Sequence, residues 1–227
     1  QLLGGTYAVI RELGRDGMGV VYQARHARTG SRLAVKVLRH KEVSNPELQA
    51  RFQREAMLGS RLGHEHIVQV VDFQSTEHGF PFFVMELLEG EDLRRRLRRE
   101  GPQSLVKAAS VTRQVALALC AAHNEGVIHR DLKPENIFLA RRNAGGEVAK
   151  VLDLGLSKVM LSVTMATQEG QVLGTPNFMA PEQARGRNRE VDPRTDIFAL
   201  GLVLYNMLSG QMPFSAKNLP ALLYKVV

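Results

Sequence analysis

The spacing of apolar residues is strand-like in the first part of the chain. Short apolar runs alternate with turn signals such as a glycine-rich segment and Thr29-Gly30, a pattern typical of an antiparallel meander. The runs lie at 7–13, 20–24, 33–38, 67–73 and 82–86. The pattern predicts a β-strand at each of them.

One long helix is predicted to interrupt these strands. Asn45 is a good N-cap residue and Pro46 suits the first position of a helix. Leu48, Phe52 and Leu58 follow at spacings that could place them on one inward face. We therefore expect a helix that begins after Asn45 and packs on the sheet.

The second part of the chain has a helical pattern. Residues 104–124 place apolar side chains at helical spacing, and Gly126 ends the pattern. Residues 197–208 are apolar on nearly all sides, which is typical of a helix in the middle of a domain. The chain is therefore predicted to have an α+β fold with a small antiparallel-sheet lobe at 1–87 and a larger, mostly helical lobe at 88–227.

The composition is that of a globular protein, with 44% hydrophobic and 23% charged residues among 227. The single cysteine, Cys120, cannot form an internal disulfide, which favours a reducing compartment, and we expect it to be buried in its apolar run. The stretch 197–208 is too short to span a bilayer, and no signal peptide opens the chain. We therefore expect no membrane segment and a cytoplasmic location, either alone or as the cytosolic domain of a larger, membrane-anchored protein.

Positive charge is concentrated in one short segment. Lysine and arginine outnumber the acidic residues by 30 to 23, giving a net charge of +7. The densest cluster, at 93–99, contains two leucines four positions apart, which predicts a short amphipathic helix with a solvated basic face. A binding surface for nucleic acid or an acidic peptide is the alternative interpretation. Because the net charge is moderate, no nucleic acid partner is expected.

Two features of the first lobe could approach a phosphate group. The glycines of segment 13–21 allow backbone N–H groups to do so, and because a strand follows, we expect a hairpin rather than a dinucleotide-binding turn. Lys36 lies between Val35 and Val37 in a strand and points to the opposite face. Residue type alone favours a solvent-exposed lysine, whereas a buried one would need a phosphate or a carboxylate as its partner.

The segment 129–136 places a carboxylate, cations and an amide close together between apolar runs. Phosphoryl transfer needs a group that orients the attacking hydroxyl, a cation that offsets phosphate charge and oxygen ligands for Mg²⁺. Asp131, Lys133 and Asn136 supply one of each. Asp153, after an apolar strand and before a glycine, could be a second Mg²⁺ ligand, with a structural turn as the alternative.

Together these segments resemble the catalytic domain of the eukaryotic-type (Hanks-type) protein kinases, a family also widespread in bacteria. The resemblance covers nearly the whole chain, with the motifs in order. The matching positions are the glycine-rich segment 14–21, Lys36, Glu55, His129-Arg130-Asp131 with Asn136, Asp153-Leu154-Gly155, Ala180-Pro181-Glu182 and Asp196. The resemblance implies one kinase domain over 1–227 with a two-lobed fold. It also implies that the larger lobe is incomplete at its C-terminal end.

The resemblance further implies an ATP-dependent serine/threonine kinase that uses Mg²⁺, with Mn²⁺ as an alternative. The implied catalytic residues are Asp131, Lys133, Lys36, Glu55 and Thr175, and the implied metal ligands are Asn136 and Asp153. The implied ATP contacts are Leu13, Gly14, Arg15, Asp16, Gly17, Met18, Gly19, Val21, Ala34, Lys36, Met85, Glu86, Leu88, Asn136, Phe138 and Asp153. Lys133 and Gly174-Thr175-Pro176 resemble the serine/threonine pattern rather than the tyrosine pattern.

Three positions depart from the family pattern, and a fourth matches it but is expected to be unpaired. Asp16 stands where the family has a glycine, so a carboxylate near the phosphates is expected to weaken nucleotide binding. Leu154 replaces the phenylalanine of the D-F-G motif. Gly59 lies one turn after the helix glutamate, and its missing side chain is expected to loosen the seat of the helix. Glu182 is expected to have no partner, because its partner in the family is an arginine further along the family's domain.

The resemblance also suggests how the activity is regulated. Arg130, before the catalytic aspartate, is typical of kinases controlled by phosphorylation of the activation segment. Ser162, Thr164 and Thr167 are candidate phosphorylation sites, and we expect autophosphorylation, in a homodimer, at Thr164 or Thr167. Ordinary polar loop residues are the alternative.

The implied role is signal transduction through phosphorylation of serine and threonine in protein substrates. A pseudokinase and a small-molecule kinase are the competing hypotheses. The presence of every catalytic residue argues against the first. The segment 174–182, which resembles a platform for protein substrates, argues against the second.

Overall fold

The computed structural model describes residues 2–15, 18–43, 45–142, 145–154 and 176–227, and for Lys41 and Arg51 only the backbone. The chain divides into two compact units, Gln1–Glu89 and Gly90–Val227. The boundary predicted from the sequence lies two residues earlier.

An antiparallel sheet and a long helix form the first unit. Within its described residues, six strands lie in the order β1-β2-β3-β4-β6-β5. The strands are β1 (Leu2–Leu3), β2 (Tyr7–Arg15), β3 (Gly19–His26), β4 (Arg32–Leu38), β5 (Val70–Ser75) and β6 (Pro81–Glu86), and the helices are α1 (His40–Val43) and α2 (Pro46–Arg61). The prediction is wrong at the start of 67–73, because a turn in which Ile67 N–H donates to the His64 carbonyl precedes the strand.

Helix α2 begins as predicted. The Asn45 side chain accepts hydrogen bonds from the N–H groups of Glu47 (3.0 Å) and Leu48 (3.3 Å), and Pro46 occupies the first turn. Phe52 is fully buried against the sheet, in a cluster with Leu38, Ala56, Val70 and Phe83. The opposite set of sheet side chains forms a second cluster of Leu3, Tyr7, Ala24, Val35, Phe82 and Val84. The alternation of the strands therefore gives the sheet two apolar faces, of which α2 covers one.

The expectation that Gly59 loosens the seat of α2 is wrong. Gly59 is buried, and a Cβ atom added to it would lie 2.5 Å from Val70 Cγ2. Real Cβ atoms essentially never come that close to another heavy atom. The missing side chain is therefore what allows α2 to approach β5 closely.

Replacing Gly59 by alanine is expected to lower the free energy of unfolding by about 1–3 kcal/mol, because the new methyl group overlaps Val70. This cost exceeds the gain in helix propensity, which is at most about 1 kcal/mol. Urea unfolding measures the change. Adding Val70→Ala to the Gly59→Ala variant should recover part of the loss, since it removes the overlapping methyl group.

The matched control for this prediction is Gly201→Ala. Gly201 lies inside the helix Pro193–Ser209, and nothing lies within 4 Å of a Cβ atom added there. An equal loss of stability in both single variants would show that overlap with Val70 is not the cause.

The second unit combines helices with a small antiparallel sheet. Within its described residues the strands lie in the order β7-β8-β9. The strands are β7 (Gly90–Asp92), β8 (Ile137–Arg141) and β9 (Glu147–Val151), and the α-helices are α3 (Leu93–Glu100), α4 (Leu105–Asn124), α5 (Pro181–Ala184), α6 (Pro193–Ser209) and α7 (Leu219–Val226). Short 3₁₀ turns lie at Pro134–Asn136 and Pro176–Phe178. Together with the sheet of the first unit, these helices confirm the predicted α+β class.

Helix α4 is capped by Ser104, whose side chain accepts from the Lys107 N–H group (3.3 Å), and it packs against α6 and β9. Its buried stripe is formed by Ala108, Val111, Val115, Ala118, Leu119 and Ala122. Cys120 lies about 100° around the helix from Leu119 and is exposed, so the prediction that it is buried is wrong. Of the helices in the described residues, α4 is long and apolar enough to cross a membrane by length and composition, a criterion that a helix packed inside a soluble protein also meets.

Helix α6 differs from its prediction on one face. Its buried residues include Ala199, Leu200, Leu202, Val203 and Met207. Ile197 and Tyr205, by contrast, are 54% and 48% exposed. Apolar composition alone therefore predicted the helix but not which of its sides is covered.

The solvated basic face predicted for 93–99 is interrupted by a buried arginine. The Arg96 side chain is 7% exposed and its Nε donates to Glu91 (2.6 Å). Its guanidinium also pairs with Glu147, and Glu100 lies 3.5 Å away. Hydrogen bonds from Arg99 and Arg96 lower the pKa of Glu91 to about 2. Arg96 therefore links α3 to β7 and β9 through its ion pairs with the carboxylates of Glu91 and Glu147.

Replacing Arg96 by methionine is expected to cost about 2–3 kcal/mol of unfolding free energy, because Glu91 and Glu147 lose their shared cation but can partly rehydrate. The folded-state pKa of Glu91 lies below its usual value, so its contribution is complete above about pH 4.5 and is lost as the pH falls through about 2. Urea unfolding at neutral pH and at acidic pH measures both effects.

The control is Arg98→Met, which removes an arginine from the exposed side of the same helix. It should change stability by less than about 0.5 kcal/mol. A difference between the two variants that does not shrink at acidic pH would contradict the role given to the carboxylates.

Candidate active site

The first unit buries a lysine–glutamate pair. Lys36, on β4, is 2% exposed, and its Nζ lies 3.0 and 3.3 Å from the two carboxylate oxygens of Glu55, on α2. The ammonium also lies 5.7 Å from the ring centre of Phe83. The alternative of a solvent-exposed Lys36 is therefore wrong, and the sequence-predicted residues Lys36 and Glu55 are in contact.

The glycine-rich segment closes a hairpin between β2 and β3, in which Gly14 pairs with Val21 and Arg15 with Val20. A Cβ atom added to Gly19 would lie 2.8 Å from the Val37 carbonyl oxygen, so this close approach to β4 requires glycine. A strand follows the segment, as predicted. Asp16 and Gly17 lie outside the described residues, so the expectation for the Asp16 carboxylate stays a prediction.

The other predicted ATP contacts of the first unit lie on neighbouring strands and at the end of the unit. Ala34 is buried on β4 opposite Met85 of β6, and Met85 packs against the Phe52 cluster. The Glu86 carboxylate accepts from the Gln69 N–H group (2.8 Å). The Glu86 backbone N–H donates to the Gln69 carbonyl (3.0 Å), so the strand ends in a fixed position.

In the second unit, one fully buried carboxylate holds the segment before Asp131. Asp196, near the start of α6, accepts from the backbone N–H groups of His129 and Arg130, both at 2.8 Å. Its Oδ2 also lies 2.7 Å from His123 Nε2, at the end of α4. Arg130 has a left-handed backbone with a φ of 67°, which is uncommon for a residue other than glycine. Asp196 therefore stabilises a strained turn.

His129 joins this turn to the segment that carries Asp153. Its ring is buried, with Nε2 3.1 Å from the Leu152 carbonyl oxygen and Nδ1 3.3 Å from the Asp131 N–H group. A carbonyl can only accept, so Nε2 carries a proton and Nδ1 accepts from Asp131. The neutral ring in this tautomer satisfies both contacts.

Asp131, Lys133 and Asn136 form one hydrogen-bonded group. Lys133 Nζ lies 2.7 Å from Asp131 Oδ2. Asn136 Nδ2 donates to the Asp131 backbone carbonyl (2.8 Å) and lies 3.4 Å from its Oδ2. The Asp131 side chain is 42% exposed, so a hydroxyl group from another molecule can reach it. The structure thus brings a carboxylate and a cation together at an accessible position.

Asp153 lies close to Asn136 because of the pairing of β8 with β9. Ile137 is opposite Val151, and the Leu152 N–H group donates to the Asn136 carbonyl (2.9 Å). Asp153 has a φ of 55°, a second left-handed position outside glycine. This geometry places two oxygen-bearing side chains at the ends of adjacent strands.

These two side chains fit a divalent cation that is shared with a phosphate ligand. Because Asn136 Nδ2 binds the Asp131 carbonyl, the amide oxygen Oδ1 remains for a cation, and Asp153 adds a carboxylate. Mg²⁺ prefers one or two protein oxygens together with phosphate oxygens and water. Within the described parts of the chain, no group of three or more His, Cys, Asp and Glu residues suited to a metal is found.

Glu182 has a partner, contrary to expectation. The Thr195 hydroxyl, 1% exposed on α6, donates to the Glu182 carboxylate on α5. Gln183, the next residue, donates from Nε2 to the Arg130 carbonyl (2.8 Å). Sequence reasoning missed Thr195, Gln183 and His123 because each acts through one long-range contact that no spacing rule reveals.

Several predicted site residues belong to the segment 155–175, which is not among the described residues. Thr175, Ser162, Thr164 and Thr167 lie outside the described residues, as does Gly155. Their assigned roles stay predictions.

The chain belongs to the protein kinase domain family, whose pattern it matches over residues 7–226. It is 44% identical over 217 residues to the serine/threonine-protein kinase Pkn1 of Myxococcus xanthus, covering 96% of this chain and 31% of that protein. It is also 42% identical to pkn3 of the same organism, over 93% of this chain and 39% of that protein, and 38% identical to PknB of Mycobacterium leprae, over 95% and 34%. The chain thus spans about a third of the length of these relatives. The family resemblance predicted from the motifs is confirmed.

Proposed function

We propose that this chain is the catalytic domain of an ATP-dependent serine/threonine protein kinase. Its relatives bear the name of serine/threonine-protein kinases, which supports this substrate class. The observation that carries the proposal is the group of Asp131, Lys133 and Asn136, held at the turn that Asp196 stabilises. The reaction transfers the γ-phosphoryl group of ATP to a serine or threonine hydroxyl of a protein.

Asp131 and Lys133 each have a defined task in the proposed reaction. Asp131 accepts the hydrogen bond of the substrate hydroxyl and directs its oxygen at the γ-phosphorus. The new P–O bond forms as the bond from the γ-phosphorus to the bridging oxygen breaks, and the hydroxyl proton leaves through Asp131. Lys133 offsets the charge of the transferring group, and its contact with Asp131 keeps that carboxylate oriented.

The remaining predicted residues bind ATP and its metal. Asn136 and Asp153 would hold Mg²⁺, with Mn²⁺ as an alternative. The bound ion would neutralise negative charge on the phosphate oxygens. Lys36, oriented by Glu55, would contact the α- and β-phosphates. The other proposed ATP contacts are Leu13, Gly14, Arg15, Asp16, Gly17, Met18, Gly19, Val21, Ala34, Met85, Glu86, Leu88 and Phe138.

Protein and nucleotide are the proposed partners, without nucleic acid. The basic segment supports this, because its arginines are largely neutralised by neighbouring carboxylates: Arg94 by Glu135, Arg95 by Asp92 and Arg99 by Glu91. We propose a cytoplasmic location, as a free protein or as the cytosolic part of a membrane-anchored one. A homodimer would serve autophosphorylation.

Autophosphorylation is expected at Thr164 or Thr167, with Ser162 as a further candidate. Arg130 supports this proposal, because burial lowers the pKa of its guanidinium and such a desolvated cation gains from an anionic partner. Mass spectrometry after incubation with Mg-ATP tests it. An active enzyme with no phosphate between residues 157 and 175 would contradict the prediction.

The proposed function is tested by transfer of radiolabelled γ-phosphate from Mg-ATP to a generic basic protein, followed by acid hydrolysis to identify the labelled amino acid. Label on serine or threonine that is lost on chelation of the metal supports the proposal. ATP binding without any transfer by the full-length protein would favour a pseudokinase. Transfer only to small molecules would favour the third hypothesis.

A further inference from the structure

The side-chain amide of Gln183 bridges two backbone groups that are far apart in the sequence. Gln183 is 6% exposed on the short helix α5. Its Oε1 accepts from the Ala180 N–H group (3.1 Å), and its Nε2 donates to the Arg130 carbonyl oxygen (2.8 Å). The second contact spans 53 positions and ends at the residue before Asp131.

The peptide bond between Arg130 and Asp131 is held at both of its polar groups. Its carbonyl accepts from Gln183, and its N–H group donates to His129 Nδ1 (3.3 Å). The preceding peptide N–H, that of Arg130, donates to Asp196 (2.8 Å). Arg130 itself is in the left-handed region, which costs free energy for any residue with a side chain and persists only when its surroundings hold it.

We propose that Gln183 is a positioning residue for phosphoryl transfer, one that fixes the Arg130–Asp131 peptide and thereby aims the Asp131 carboxylate. The proposal rests on the kinase function proposed above. Asp196 fixes the N–H side of the strained residue and Gln183 fixes its carbonyl side. Without the Gln183 donor, a partly buried carbonyl loses its hydrogen bond and the peptide plane can rotate, which moves Asp131.

A purely local role is the competing explanation. Gln183 lies three residues after Ala180, where a glutamine or glutamate commonly accepts from the backbone N–H group at the start of a helix. A capping role needs only the acceptor, Oε1. The proposed role needs the donor, Nε2. The two roles therefore predict different results for a substitution that keeps the acceptor and removes the donor.

Gln183→Glu is that substitution. An ionised glutamate still caps α5 but cannot donate to the Arg130 carbonyl and instead repels it. We expect kcat to fall about tenfold or more, with the KM for ATP changed less than about twofold, because a small displacement of a reacting group lowers the rate without weakening nucleotide binding. The thermal midpoint should stay close to that of the control described next.

The matched control is Gln103→Glu. Gln103 is 8% exposed in the same unit, and its Nε2 also donates to a backbone carbonyl, that of Gly101 (2.9 Å). The two variants share the change of charge, the degree of burial and the lost hydrogen bond, but Gly101 belongs to the end of α3 and not to the site. Gln103→Glu should leave kcat within about twofold of the native value.

A pH series measures a quantity that would not change with pH if Gln183 were only a helix cap. A glutamate buried against a carbonyl has a raised pKa, and once protonated it can donate again. The ratio of the Gln183→Glu kcat to the native kcat should therefore rise as the pH falls, with groups common to both enzymes cancelling in the ratio. A ratio near one at all pH values would overturn the proposal and leave Gln183 as a cap only.

Amide hydrogen exchange separates failure of this proposal from failure of the proposed function. In the full chain, Gln183→Glu should speed exchange at residues 129–132 relative to both the native protein and Gln103→Glu, whether or not the chain transfers phosphate. Unchanged exchange at 129–132 would overturn the positioning role. Faster exchange in a protein without transfer would uphold the contact and reject only the kinase function.

Discussion

Replacing Asp131 by asparagine is expected to lower phosphate transfer by about 10²–10⁴-fold, the range that a positioned general base or orienting group contributes. The asparagine keeps an oxygen that can accept from Lys133 Nζ, which lies 2.7 Å from Asp131 Oδ2 in the native protein. Its backbone carbonyl still accepts from Asn136. The substitution therefore removes the negative charge and the basic oxygen while preserving the local hydrogen bonds.

Radiolabel transfer at saturating Mg-ATP measures the loss, and titration calorimetry with Mg-ATP or with a non-hydrolysable analogue measures binding. Binding should change little, because Asp131 is not among the residues proposed to contact ATP. Asp192→Asn is the matched control, since it makes the same chemical change at an exposed helix cap of the same unit, where asparagine also caps well. Transfer by Asp131→Asn at more than about a tenth of the native rate would contradict the assigned role.

The parts of the fold and site that could be predicted are those set by short stretches of sequence. Asn45 and Pro46 start α2 because a capping side chain and a fixed φ act within one turn. The segment of Asp131, Lys133 and Asn136 could be found because three groups that phosphoryl transfer requires lie within eight positions. Features that depend on local chemistry can therefore be predicted before the fold is known.

The parts that could not be predicted depend on what a residue meets across the fold. Arg96 was expected in solvent, but Glu147, 51 positions away, forms its ion pair. Gly59 was expected to leave space, but Val70 fills it. Periodicity gives the face on which a side chain lies, and it carries no information on the charge or volume of the group opposite.

Replacing Asp196 by alanine is expected to lower both the stability of the second unit and the rate of transfer. Asp196 is fully buried, and its loss leaves the N–H groups of His129 and Arg130 without their acceptor. Each orphaned buried donor costs about 1–3 kcal/mol, so we expect about 3–5 kcal/mol in total together with the lost His123 contact.

The transfer rate should fall about 10²-fold in the same variant, at a temperature where it is still folded, because the turn at Arg130 loses the contact that holds its left-handed backbone. Urea unfolding and radiolabel transfer measure the two effects separately. Asp192→Ala, at the cap of the same helix, should cost only about 1 kcal/mol and leave transfer unchanged. If Asp196→Ala lost stability but kept the native rate, the strained turn would not depend on this carboxylate. The orientation of the Asp131 carboxylate would then depend on the Gln183 and His129 contacts alone.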